Sequence, residues 1–301
     1  MELGMIGLGK MGANMSERLV RGGHRVVGFD LDADAVTAVV EVGAEGAATV
    51  EELVDALPAP RVVWMMVPAG VVDRVLDSLL PLLKDGDLVV DGGNSNYQET
   101  MRRAETLAEH GLSFVDVGTS GGVWGLAEGY SMMVGGPDDA VERLRPALET
   151  LAPTPETGWG HTGPNGAGHF VKMIHNGIEY GLMEAYAEGF ALLKAKEEFG
   201  LDLHQVSEIW RHGSVVRSWL LDLTANALAE NPEMDGIAPF VPDSGEGRWT
   251  VFEAIDLNIE APIIALSLMR RIDSRDEVDY SDRLLAAMRN QFGGHAVKRE
   301  E

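Results

Sequence analysis

Residues 2–6, ELGMI, form a short apolar strand that runs straight into Gly7-Leu8-Gly9-Lys10-Met11-Gly12. Met15, Leu19 and Val20 then share one side of a predicted helix that stops at Gly22-Gly23, and His24–Phe29 reads as a second strand ending in Asp30. Strand, glycine turn, helix, strand and acid, in that order, make the dinucleotide-binding fingerprint. Gly7 permits the tight turn, Gly9 lets a pyrophosphate approach the backbone, and Gly12 lets helix and strand pack closely. The helix N-terminus then faces the phosphates. A GxGxxG alone is weak; with an acid eighteen residues beyond Gly12 it is strong. Such a unit commits the chain to parallel strands joined by crossover helices.

Asp30 bears on which dinucleotide is taken. A carboxylate at the end of the second strand accepts hydrogen bonds from an adenosine ribose and repels a 2′-phosphate. Leu31 and Asp32 follow, with no Arg to hold that phosphate, so NAD is expected over NADP. The competing role for Asp30 is N-cap of a helix over residues 33–42, for which Asp32 is better placed.

The alternation continues. Arg61–Met66 reads as a strand ending in Val67-Pro68-Ala69-Gly70, with a helix to Leu83. Asp87–Val90 reads as a strand ending in Asp91-Gly92-Gly93-Asn94-Ser95, with a helix from about Tyr97 to His110. Leu112–Val117 ends in Gly118-Thr119-Ser120-Gly121-Gly122; Tyr130–Val134 is a further strand and Pro137–Leu151 its helix. Working loops in such sheets lie at the carboxyl ends of strands. One cluster of Gly, Pro, Asn and Ser is an ordinary turn, whereas three facing one crevice mark a site. Val67, Pro68, Ala69 and Asn94 are accordingly expected beside the cofactor.

After Pro153 and Pro155 the alternation stops. From Asn165 only helices are predicted: one to about Phe199, then 203–212, 217–229, 247–258, 261–272 and 280–290. The expected architecture is an α/β, Rossmann-type N-terminal domain over 1–162, doubly wound with a mainly parallel sheet, followed by an all-α domain over 163–301. At 301 residues two cores are also what domain size favours.

Composition narrows the function classes. A formal charge of −24 is the opposite of what a phosphate backbone demands, so nucleic acid is not an expected partner. No apolar run nears the ~18 residues of a membrane span, and Met1 leads almost directly into a strand, with no space for a signal peptide. A cytoplasmic location is expected. Without cysteine there is no disulfide, thiolate chemistry or Cys-type zinc site, and no metal is expected. Six Lys against eighteen Arg, beside the acidic excess, match a surface built for a high-salt cytoplasm, where screening removes self-repulsion. A merely acidic protein in ordinary salt is the alternative.

Gly163–Phe190 carries the chemistry. Lys172, His175, Asn176 and Glu179 are spaced i, i+3, i+4, i+7 and so share one helix face. Lys172 and Glu179 lie about 10 Å apart along the axis, room for a small polar substrate. A solvated face with a chance Lys and Glu is the bland reading. Against it, Met173, Ile174, Ile178, Leu182 and Met183 make the remaining surface apolar. The helix is therefore expected to be buried, where an idle Lys or Glu is costly.

With GLGKMG, DGGNS, TSGG and GHFVKMIHNGIEYG assembled, the chain resembles the decarboxylating 6-phosphogluconate dehydrogenases over nearly its whole length, in the short form usually linked to NAD. The resemblance implies that Lys172 is the general base and Glu179 the general acid of an oxidative decarboxylation, with Asn176 and His175 stabilising the enolate oxygen. It places Asn94, Ser120, Gly121, Gly122, His175, Asn176 and Tyr180 on the sugar acid and Arg270 near its phosphate. Arg289 and His295, in RNQFGGH, resemble a tail pair that reaches a neighbouring subunit's site, which implies a homodimer or homotetramer. Val123-Trp124 stands where longer members often carry two acids. The loop Asp243–Trp249 lacks the family's phosphate-binding Lys, leaving Arg248 as the candidate replacement. Two rivals remain: a 3-hydroxyacid dehydrogenase of the hydroxyisobutyrate type, which generally lacks HNGIEYG, and a non-catalytic NAD-binding sensor, which needs neither Lys172 nor Glu179.

Overall fold

The computed structural model describes residues 1–275 and 280–293, which divide into two compact units, Met1–Asn176 and the chain from Gly177 onward. The first unit alternates strands and helices as the fingerprint requires. Its elements are β1 (Glu2–Ile6), α1 (Lys10–Arg21), β2 (Arg25–Phe29), α2 (Ala33–Glu41), β3 (Glu45–Gly46), α3 (Val50–Asp55), β4 (Val62–Met65) and α4 (Val72–Leu79). They continue with β5 (Leu88–Asp91), α5 (Tyr97–Ala108), β6 (Ser113–Ser120), α6 (Gly125–Glu128), β7 (Ser131–Gly135), α7 (Asp138–Leu151), β8 (Trp159–Gly163) and the start of α8 (Ala167–Ala195).

The eight strands form one sheet in the order β3-β2-β1-β4-β5-β6-β7-β8. All pairings are parallel except β6 with β7, where Asp116 faces Gly135 and Ser120 faces Ser131. Strand order reverses between β1 and β4, the switch point at which ligands bind in open sheets. Because side chains alternate along a strand, each central strand feeds two cores. Leu3, Met5, Val26, Trp64, Val90, Val115 and Val117 pack with Met15 and Leu19 of α1 and Leu144 of α7. Ile6, Val27, Val63, Met65, Val89 and Phe114 pack on the opposite face with Leu53, Leu76 and Leu107. Near-continuous apolar strands are the mark of a sheet covered on both sides.

Four elements lie outside the pattern read from the sequence, the four-residue α6 among them. β3 is two residues long, α3 is six, and β8 is held largely by its parallel pairing to β7. β6 also runs on through Gly118–Ser120, so the start of the TSGG segment is strand rather than loop.

The second unit is helical: the rest of α8, then α9 (Leu203–Arg211), α10 (Trp219–Glu230), α11 (Glu246–Asp256), α12 (Pro262–Asp273) and α13 (Tyr280–Gly293). Phe190, Leu221 and Leu228 make its core, with Trp210 edge-on to Phe190. The expectation of an apolar α8 surface buried all round is corrected here. Met173 is buried, but Ile178, Leu182 and Met183 are exposed, because the other described residues leave these side chains largely uncovered. Among the described residues no helix is long and apolar enough to cross a membrane.

Candidate active site

The turn after β1 is shaped by close backbone approach. Gly7 sits at φ +92, and a Cβ there would lie 2.5 Å from the Met66 carbonyl oxygen. A Cβ on Gly12 would collide with the Gly7 carbonyl. Above Gly9 the space is open, and Gly9 precedes α1 without a capping side chain, so the first amides of α1, from Lys10 and Met11, are left to an anion. This cradle fits a pyrophosphate. The Asp30 carboxylate accepts the Leu8 N–H at 2.6 Å through Oδ2 and the Asp32 N–H at 2.9 Å through Oδ1. Helix capping falls to Asp32, whose carboxylate accepts the Asp34 N–H at 3.0 Å. Asp30 is thereby left at the end of β2 with its charge fixed in place.

The neighbouring strand ends complete that edge. Val67 and Ala69 are half-buried and Pro68 exposed after β4, and the Val67 carbonyl would lie 2.8 Å from a Cβ on Gly93. After β5, buried Asp91 organises the next loop: Oδ1 accepts the Gly93 N–H at 3.2 Å and Oδ2 the Ser95 hydroxyl at 2.6 Å. Arg103 stands 4.0 Å from Asp91 and pairs through Nε and Nη2 with Asp73. The Arg103 guanidinium, helped by Arg102, holds the Asp73 carboxyl down at about 2. In the middle of this loop Asn94 has a buried Oδ1 with no hydrogen-bond partner in the protein, the condition of an acceptor waiting for a ligand.

Strand β6 delivers Ser120, Gly121 and Gly122, half-buried to exposed, beside buried Tyr130, whose phenol burial pushes up to about 12. On α8, Lys172 is 4% and Asn176 9% exposed. Lys172 Nζ donates to Asn176 Oδ1 at 2.7 Å; His175 Nδ1 lies 3.0 Å from the same oxygen and 3.5 Å from Nζ. The three polar residues of the stripe that belong to this unit therefore converge on one oxygen. Such a triangle can hold an amine still while presenting it to a hydroxyl. Among the described residues no three His, Asp or Glu side chains are grouped as metal ligands would be.

In the second unit Glu179 is half-buried and Tyr180 buried. The Tyr180 oxygen accepts the Ser244 N–H at 3.2 Å, Gly247 packs against its ring, and the Arg271 guanidinium stacks on the ring at 3.5 Å. Arg248 and Arg275 both reach Asp243, and the Arg248 guanidinium above all holds that carboxyl below its usual range. Arg270 is instead half exposed, 2.8 Å from Asp273 and 3.7 Å from Glu184. Arg271 and Arg275, which the sequence reading passed over, thus stand nearer Tyr180 and Ser244 in the bonding pattern than Arg270 does; only the helical phase of α12 distinguishes adjacent arginines. Arg289 is exposed on α13, and His295 lies outside the described residues.

Residues 2–160 match the family model of the NAD binding domain of 6-phosphogluconate dehydrogenase, and residues 168–282 match that of its C-terminal domain. The chain is 46% identical over 303 residues to an NAD(+)-dependent, decarboxylating 6-phosphogluconate dehydrogenase of Haloferax volcanii, with 100% of both chains covered. Among solved structures it resembles 6-phosphogluconate dehydrogenase of Plasmodium falciparum at a TM-score of 0.84 and 29% identity, covering 100% of this chain and 67% of that one. A 3-hydroxyisobutyrate dehydrogenase of Mycobacterium tuberculosis follows at 0.73 and 26%, with 92% and 95% covered. The glycine cradle, the Asn94 loop and the Lys172–Asn176–His175 triangle sit inside those matched segments, and the chain belongs to the 6-phosphogluconate dehydrogenase family.

Proposed function

We propose that the protein oxidises and decarboxylates 6-phosphogluconate to ribulose 5-phosphate and carbon dioxide, using NAD in preference to NADP. The observation that carries the reading is the convergence of Lys172 and His175 on Asn176 Oδ1, with Lys172 buried. Gly7 to Gly12 and the first amides of α1 hold the cofactor's pyrophosphate, Asp30 its adenosine ribose, and Val67, Pro68, Ala69 and Asn94 line its path. Bound NAD supplies the acceptor for the hydride that leaves C3.

Neutral Lys172 takes the C3 hydroxyl proton as that hydride departs, leaving a 3-keto acid. The carboxylate, held by Ser120 and the amides of Gly121 and Gly122, then leaves as carbon dioxide, and its bonding electrons delocalise into the ketone. Protonated Lys172, with Asn176 and His175, balances the charge on the enolate oxygen. Glu179, two turns further along α8, protonates the carbon that carried the carboxylate. Tyr180 and the arginines of the second unit meet the phosphate, Arg248 standing in for the absent Lys of its loop. The active form is a homodimer or homotetramer in which Arg289 and His295 of one copy serve the site of another.

The test is NADH formation with 6-phosphogluconate beside 3-hydroxyisobutyrate. Turnover of the first and not the second is expected. Turnover of hydroxyisobutyrate alone would move the protein to the related 3-hydroxyacid dehydrogenases, and NAD binding without either activity would make it a sensor.

A further inference from the structure

The first turn of a helix leaves amide groups without partners in the helix itself. Gly166, just ahead of α8, has no side chain to cap them. A carboxylate fifty residues away does so instead: Asp116 accepts the Gly166 N–H at 2.8 Å through Oδ1 and the His169 N–H at 2.9 Å through Oδ2. These are the two amides that a capping box satisfies with two side chains of its own helix. Asp116 is fully buried, and its charge faces the positive end of the α8 dipole.

Strand β6 and helix α8 then run in register. Asp116 and Gly118 lie on one side of the strand, about 6.6 Å apart, and Gly168 and Lys172 on one face of the helix, about 6 Å apart. A Cβ on Gly168 would lie 2.7 Å from the Asp116 carbonyl oxygen, and one on Gly118 would collide with Lys172 Cβ. A sideways tie completes the seating: His169 Nδ1 lies 2.7 Å from Thr100 Oγ1, and Phe170 meets Tyr97 edge-on at 5.2 Å.

We infer that Asp116 is the positioning residue of the active site, fixing how far along β6 the helix sits and so where the Lys172 amine is held. The inference rests on Lys172 as the base. Asp116→Asn tests it with almost no change of volume: the amide keeps one acceptor oxygen and turns its NH2 against the other N–H donor. The expected result is a kcat lower by about 100-fold, the scale of an ångström displacement of a reacting group, with the NAD dissociation constant within about twofold. Acylation of Lys172 by an amine reagent, read by peptide mass against exposed Lys194 and Lys196, should quicken about 10-fold, as expected when one hydrogen bond to a carboxylate no longer opposes local opening. Labelling needs no turnover, so it decides the inference even if 6-phosphogluconate proves not to be the substrate. Unchanged labelling overturns it whatever kcat does. Parallel loss of kcat and NAD affinity also overturns it, by making Asp116 a merely structural carboxylate. If the Asn variant does not fold, Asp116→Ser, which retains one acceptor, takes its place; failure of both to fold overturns the inference in the same way.

Discussion

Exchanging Asp30 and Leu31 together should move the cofactor preference. The Asp30 carboxylate is committed to the Leu8 and Asp32 amides, at 2.6 and 2.9 Å, so it cannot swing away from an incoming 2′-phosphate without giving up both. Two charges about 4 Å apart repel by about 1 kcal/mol in water and about 4 kcal/mol at the effective dielectric of a protein surface. Half-buried Asp30 falls between these, at about 2 kcal/mol, or roughly 30-fold in kcat/KM for NAD over NADP. In Asp30→Asn, Leu31→Arg the repulsion is gone and a guanidinium is supplied. Leu31 is 95% exposed, so the Arg disturbs no packing. One amide loses its acceptor, about 1 kcal/mol, which a melt should register as roughly 2 °C. Initial rates of NADH and NADPH formation at saturating 6-phosphogluconate give the ratio, which should fall to about 1 or invert. Equal use of both cofactors by the wild-type protein would refute the reasoning, as would a folded double variant with an unaltered ratio.

Lys172→Met should lower kcat by about 10²–10⁴ while NAD binding survives; Glu179→Ala should keep first-turnover NADH and slow the appearance of ribulose 5-phosphate. With a formal charge of −24, the melting midpoint should rise between 0.01 M and 1 M salt, as the Debye length falls from about 30 to about 3 Å; a flat midpoint discards the high-salt reading. Truncation after Met288 should raise the KM for 6-phosphogluconate and spare NAD affinity, and mixing with the Lys172→Met protein should restore some activity. Asp73, held at about 2 by Arg103 in the folded state, stabilises the fold at neutral pH, and this contribution fades as pH falls from about 4 to about 2. Acid titrations of Asp73→Asn and the parent should therefore converge near pH 2.

The fold was legible wherever a local rule acts. Gly7 and Gly12 require their backbone approaches, and strands apolar on both faces announce a doubly covered sheet. β3 and β8 were not legible because each is short and owes its form to the strand beside it; in β8, Trp159–Gly163 is largely polar or glycine. The Lys172 stripe was readable from helical spacing alone. Asp91 and Asp116 were hidden for the opposite reason. Asp116 is a lone acid inside an apolar run and Asp91 stands at the end of one, and their partners, Gly93 and Ser95 for Asp91 and Gly166 and His169 for Asp116, are mostly backbone amides, which any sequence supplies. Ile178, Leu182 and Met183 misled because an apolar side chain states a preference for cover without naming what provides it.

The antiparallel pairing of β6 and β7 sets the polarity of everything that follows it. In an unbroken run of parallel strands the helix after the last one would start at the loop-bearing edge and descend, taking its side chains away from the cofactor. β7 runs opposite to β6, and β8 runs with β7, so β8 ends at the far edge of the sheet. Helix α8 consequently climbs in the direction of β6, meeting Asp116 with its first turn and Gly118 with Lys172. Between Gly166 and Lys172 the helix gains height toward the edge where Val67, Asn94 and Ser120 emerge. One reversed strand pair makes a covering helix carry Lys172 toward that edge, and the same helical sequence attached after a parallel strand would carry Lys172 the other way.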